Sequence, residues 1–173
     1  MRITFELETD DVARFHDALR RAERLAADMD ECDIVDAAKQ ALDTLPLASA
    51  PGFVRKRLSE VQRLILMLED EDWALHGAER DDVLRALVYF SDPEDLIPDE
   101  IEVIGLIDDA VMLELLLRRL KHVLAAYGDF CAWRAGQVAA GDRTAAAAEV
   151  ARKRLQLHER MRRRRRLSAV EGG

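Results

Sequence analysis

Eight acids, Asp92, Glu94, Asp95, Asp99, Glu100, Glu102, Asp108 and Asp109, crowd into 18 residues that contain no Lys, Arg or His, and the run feeds straight into a strongly apolar stretch. From Leu106 to Leu124 the chain carries Leu106, Ile107, Val111, Met112, Leu113, Leu115, Leu116, Leu117, Leu120, Val123 and Leu124. These cover most of a helix's circumference and predict a helix at the centre of an all-α protein. The stretch is no bilayer span. Asp108, Asp109, Glu114, Arg118, Arg119 and Lys121 interrupt it, and each charge near mid-bilayer costs about 3 kcal/mol on insertion scales.

The segments before it repeat the helical period. Val12, Phe15, Leu19, Ala22, Leu25, Ala26 and Met29 form one stripe behind a cap at Asp10 or Asp11. A second stripe, Ile34, Val35, Ala38, Ala41, Leu42 and Leu45, ends at Pro46 and Pro51. Val54, Leu58, Val61, Leu64, Ile65 and Leu68 make a third, closed by the acids of Glu69 to Asp72, and a fourth helix is expected from Asp81 to Phe90. Gly128 predicts a bend ahead of a short helix from Asp129 to Ala140, with Phe130, Trp133 and Val138 on one side. Thr144 to Arg166 is built from strong helix formers but has a thin apolar stripe, which predicts a protruding or frayed helix. At the other end, Ile3, Phe5 and Leu7 alternate with polar residues and predict one short β-strand. A lone strand leaves its edge unpaired, so it should lie on the helices or pair with a second copy in a homodimer. The expectation is a compact multi-helix bundle with one N-terminal strand and an extended C-terminal helix or tail.

Charge divides the chain. Residues 141–173 hold 10 basic and 4 acidic side chains, and residues 1–140 hold 16 and 30, so a body near −14 carries a tail near +6. We read 1–140 as the helical domain and 141–173 as a basic helix and tail. With 173 residues, 49% hydrophobic and only 4 prolines, the chain is long enough for one core and too apolar for disorder. Cys32 and Cys131 are too few and too far apart for a disulfide framework, and the acidic N-terminus lacks a signal-peptide pattern; both point to the cytoplasm.

The words Ser91-Asp92-Pro93-Glu94-Asp95-Leu96-Ile97-Pro98-Asp99 and Ile104-Gly105-Leu106-Ile107-Asp108-Asp109 resemble the signature of the YkvA-like family, a bacterial domain of unknown function, with a pattern close to D-P-x-D-L-I-P-D-x-I-P-x-x-G-x-x-D-D. The likeness spans roughly residues 80–125. One departure is Glu102, where the pattern places another proline, which leaves that turn less rigid. The resemblance implies a helical fold and no established reaction.

Two chemistries fit the acids. As braces, Asp92 ahead of Pro93 caps a helix with Asp95 at its third position, Asp99 after Pro98 caps another turn, and Asp108 and Asp109 beyond Gly105 sit at the positive start of the central helix. As ligands, Asp95, Asp99, Asp108 and Asp109 would hold Mg, Mn or Ca, which take several carboxylate oxygens; bracing is the reading preferred, so no cofactor is expected. The run Arg162, Arg163, Arg164, Arg165 and Arg166 is a solvated tail or an anion-binding arm for nucleic acid or an anionic membrane surface. His16, His76, His122 and His158 lie on separate segments and read as surface or rim residues, and Glu114 reads as an ion-pair partner of Arg118 four residues on. There is no nucleophile elbow, phosphate-binding glycine loop or HExxH motif. A non-enzymatic module that works by contact with another protein is the expectation, with a cation-dependent activity at the loop as its rival.

Overall fold

In the computed structural model, residues 9–45, 50–92, 113–139 and 147–171 are described. They form helices α1 (Thr9–Asp28), α2 (Glu31–Thr44), α3 (Gly52–Glu69), α4 (Ala78–Ser91), α5 (Lys121–Ala139) and α6 (Ala147–Glu171), with a further helical stretch at 113–119. The core is a helical bundle.

The four early stripes become α1 to α4 because each apolar row needs a neighbouring row to cover it. α4 is the helix they share, packed against α1, α2 and α3. Val83, Leu84, Ala86, Leu87, Val88, Tyr89 and Phe90 are all buried along it. α3 turns Val54, Leu58, Val61, Leu64, Ile65, Met67 and Leu68 inward and also touches α5, against which α6 lies. The 113–124 stretch, expected at the centre, buries Leu113, Leu116, Leu117, Leu120, Val123 and Leu124 while Arg118, Arg119 and Lys121 stay exposed. Residues 106–112 of that stretch lie outside the described residues, and among the described helices α4 carries the longest unbroken buried run, Ala86 to Phe90.

Three expectations are corrected. No strand occurs among the described residues, so what was expected as a helical bundle with one strand is, where described, a helical bundle alone; residues 3–7, on which the N-terminal β-strand was placed, lie outside them. A strand needs another strand's free backbone groups, and every described element is a helix that bonds its own. The bend expected at Gly128 is absent, because α5 runs through it. The interruption falls at Leu120, where Leu120 N–H donates to Leu117 C=O at 3.1 Å and Val123 N–H donates to Leu120 C=O at 2.9 Å, the spacing of a 3₁₀ turn. Gly128 instead lets α3 approach: a Cβ there would stand 3.0 Å from Arg63 Nη2, and that guanidinium donates to Leu124 C=O at 3.3 Å. Lastly, α6 does not protrude. Leu157, His158 and Met161 are buried on it, each 3% exposed or less.

Met67 and Leu66 are neighbours on α3 with opposite surroundings, 0% and 51% exposed. Met67→Ala should cost about 2–5 kcal/mol of unfolding free energy by loss of transfer energy and opening of a cavity. Leu66→Ala should cost less than about 1 kcal/mol, both read from urea midpoints at constant slope.

Candidate functional site

The turn between α3 and α4, residues 70–77, is where most of the unusual chemistry gathers. Asp70 closes α3, and its side chain is 9% exposed. Arg134 of α5 donates to it through both terminal nitrogens, at 3.1 and 2.8 Å. Tyr127 Oη donates at 3.0 Å, and Trp73 N–H at 3.2 Å. Burial by itself pushes the Asp70 carboxyl up, but Arg134, the Trp73 amide and Tyr127 outweigh it and hold it below its ordinary range. The Tyr127 hydroxyl moves the opposite way, raised first by burial and then by Cys131 and Asp70, so it stays protonated and donating.

Trp73 is drawn in by that turn. It is fully buried, with ring centres 5.7 Å from Tyr127, 5.2 Å from Phe130 and 4.3 Å from His158. A short link would ordinarily lie on the surface; here its tryptophan plugs the space between α5 and α6. The chain then passes through Ala74 at φ 46° and Gly77 at φ 68°. Ala74 pays a steric penalty that glycine does not, sustained by the contacts on either side of it. Arg80 ties the far end down, donating to Glu31 of α2 at 2.6–3.1 Å and to the carbonyls of Leu68 and Leu75.

α6 reaches the same region. Arg165 donates to Glu79 Oε1 at 3.1 Å and pairs with Asp82 Oδ2 at 2.7 Å, while Arg162 stands 3.5 Å from Glu79 Oε2. Burial would raise the Glu79 carboxyl, and Arg165, its own backbone amide and Arg162 bring it below its ordinary value. Arg160 pairs with Asp129, and Arg154 donates to Asp72 C=O at 3.3 Å. Helical phase therefore splits the arginine run: Arg162 and Arg165 face the carboxylates of α4, whereas Arg163, Arg164 and Arg166 are exposed.

A separate open groove of about 500 Å³ runs between α2 and α3. Leu42, Leu58, Ile65 and Leu66 line it, with Lys39, Asp43, Arg55 and Glu69 also bordering it; Lys39 and Glu69 pair across it.

Of the residues singled out from sequence, Asp92 is described. It ends α4, is 6% exposed, and accepts from Arg21 Nε of α1 at 2.8 Å. Pro93, Asp95, Pro98, Asp99, Gly105, Asp108 and Asp109 lie outside the described residues, and so does any ion they would hold. Among the described residues no three His, Cys, Asp or Glu are grouped to hold a metal, and no helix is long and apolar enough to cross a membrane. Glu114 pairs with Arg118 at 2.8 Å and also with Arg57 of α3. The surface or rim reading holds for the exposed His16 and His76 and the half-buried His122, and is corrected for His158, which is buried with its ring centre 5.4 Å from that of His76. Asp70, Trp73 and Glu79 were missed because their partners sit 54 to 86 residues away; the one local signal was a tryptophan inside an acidic link.

A family model for a protein of unknown function, DUF1232, matches residues 83–115, about a fifth of the chain. No curated protein and no solved structure matches the chain.

Asp70→Asn should cost about 1–3 kcal/mol, because Arg134 and Tyr127 lose the charged acceptor they surround. The sign of the pH effect follows from the lowered carboxyl: Asp70 contributes stability above its ordinary pKa of 3.8 and loses it as pH falls through the lower folded value. Chemical denaturation between pH 7 and pH 2 should show that the deficit of Asp70→Asn shrinks at the acid end.

Proposed function

We propose that the chain is a non-catalytic helical module of the YkvA-like kind, working in the cytoplasm by holding an amphipathic segment of another protein in the α2–α3 groove. The observation that carries this reading is Leu66, 51% exposed in the wall of that groove, although the same helix buries seven apolar side chains. Leu42, Leu58 and Ile65 extend the apolar strip beside it. An amphipathic helix laid in such a groove covers the strip with its own apolar face. Lys39 and Arg55 on the one hand and Asp43 and Glu69 on the other supply charges of both signs, suited to a helix whose flanks also carry both.

A photo-cross-linking amino acid placed at the exposed Gln62 should capture a discrete protein in the native cell. Adding Leu66→Asp should abolish that adduct while the melting temperature moves by no more than about 2 °C, since Leu66 contributes little to the core. The same adduct formed from exposed Leu155 on α6, or surviving Leu66→Asp, would sink the groove as the contact surface.

The exposure of Arg163, Arg164 and Arg166 supports a second reading, association of α6 with a polyanion. If these three meet duplex phosphates, replacing all of them with Gln should flatten the slope of log K against log salt by roughly 2.7, at about 0.9 per contact. Electrophoretic titration at several salt concentrations measures it, and an unchanged slope removes that reading.

A further inference from the structure

The contacts that hold α6 against the 70–77 turn share one chemical weakness. His158 is 2% exposed, its ring stands edge-on to Trp73 at 84°, and its Nε2 has no hydrogen-bond partner among the described residues. His76, in the turn, receives a hydrogen bond from Arg162 Nη2 on its own Nε2 at 2.9 Å. Its proton must therefore sit on Nδ1, which donates to Ala74 C=O at 3.0 Å. The imidazole that joins the turn to α6 is thus neutral in this arrangement.

Acid attacks the contact made by the buried His158. A proton on His158 puts an unpaired charge against Trp73, which itself packs on the buried Phe130, near Arg154 and Arg162. We propose that α6 is an acid-released latch: docked while the buried His158 is neutral, lifted when it is protonated, so that Trp73 and Phe130 are bared and Arg162 and Arg165 are freed from Glu79 and Asp82.

The charges around the latch set its direction. On α6, Arg154, Arg160, Arg162 and Arg165 resist any further positive charge. The turn contributes Asp70 and Asp72, already engaged by Arg134 of α5. α4 contributes Glu79 and Asp82, which favour a protonated ring but are occupied by Arg162 and Arg165. α5 adds Asp129, paired with Arg160, along with Tyr127, Cys131 and His122. For His158 burial dominates; His76, Arg162 and Arg154 add to it, Glu79 opposes, and the imidazole is pushed down to about 4. His122 is lowered too, first by burial. Depressed histidines stabilise the docked form fully above the unfolded value of 6.5, and that contribution is lost as pH falls toward the folded value. Glu79, also depressed, keeps its contribution above its ordinary 4.5 and loses it only as pH falls through its lower folded value. The latch therefore opens between about pH 6.5 and 4 on histidine alone.

Hydrogen exchange followed by mass spectrometry on the whole chain, corrected for intrinsic rates, tests this at pH 7.5 and 5.0. A folded value of about 4 against 6.5 predicts a lifted population roughly 30-fold larger at pH 5.0, seen as lost protection in α6 while α3 and α4 keep theirs. In a Trp133→Phe background, where Trp73 is the sole tryptophan, its emission should shift red over the same range. His158→Phe keeps an aromatic edge against Trp73 and cannot titrate, so its response should fall below about threefold. Unchanged α6 protection at pH 5.0, an equal response in His158→Phe, or α3 and α4 opening in step with α6 would each overturn the latch. Should His158→Phe fail to fold, exchange in the unaltered chain decides alone.

Discussion

Asp70 is the group on which the far half of the bundle depends. One carboxylate ends α3, accepts both arms of Arg134 and the hydroxyl of Tyr127 from α5, and accepts the backbone amide that sets Trp73 in place. Four donors around a side chain removed from water make a network whose members must all be present, since any one left alone is a buried, unsatisfied polar group. With Asp70 held, Trp73 fills the gap toward Phe130 and His158, and α6 gains a surface on which to lie. The apolar plug and the polar knot are two sides of one turn.

α6 shows how a low-complexity sequence acquires direction from helical geometry. Five consecutive arginines are chemically equivalent in the sequence, yet a helix turns each by about 100° from the last. Arg162 and Arg165, three apart, reach Glu79 and Asp82 together, while Arg163, Arg164 and Arg166 face outward. The thin apolar stripe of Leu157 and Met161, with His158 between, suffices because the carboxylates on α4 and Asp129 on α5 add charge pairing at its edges. That mixed adhesion also makes α6 the element most sensitive to proton and salt concentration.

Much of the body was legible from residues. The stripes of α1 to α4 follow the helical period because each helix buries one face, and Pro46 and the acids after Leu68 end helices by local rules. Gly128 misled because a glycine read alone suggests a break, whereas here it is the clearance for Arg63. The N-terminal strand rested on alternation, which reports a pattern and not a pairing partner, and residues 3–7 lie outside the described residues. Of the acid-rich signature, Asp92 can be placed, tying α4 to Arg21 of α1.

By itself, the sequence determined that the described segments are helical, roughly where α1 to α4 run, and that the acid-rich run and the arginine run lie in separate blocks, since these properties depend on neighbours within a few residues. Only the tertiary structure decided that α4 is packed by α1, α2 and α3 together, that Trp73 leaves its loop for the core, that His158 is buried beside His76, and that two arginines of five serve as clamps. Each of those outcomes joins residues far apart in the chain, and their positions are set by how α3, α4, α5 and α6 pack, which no local period encodes.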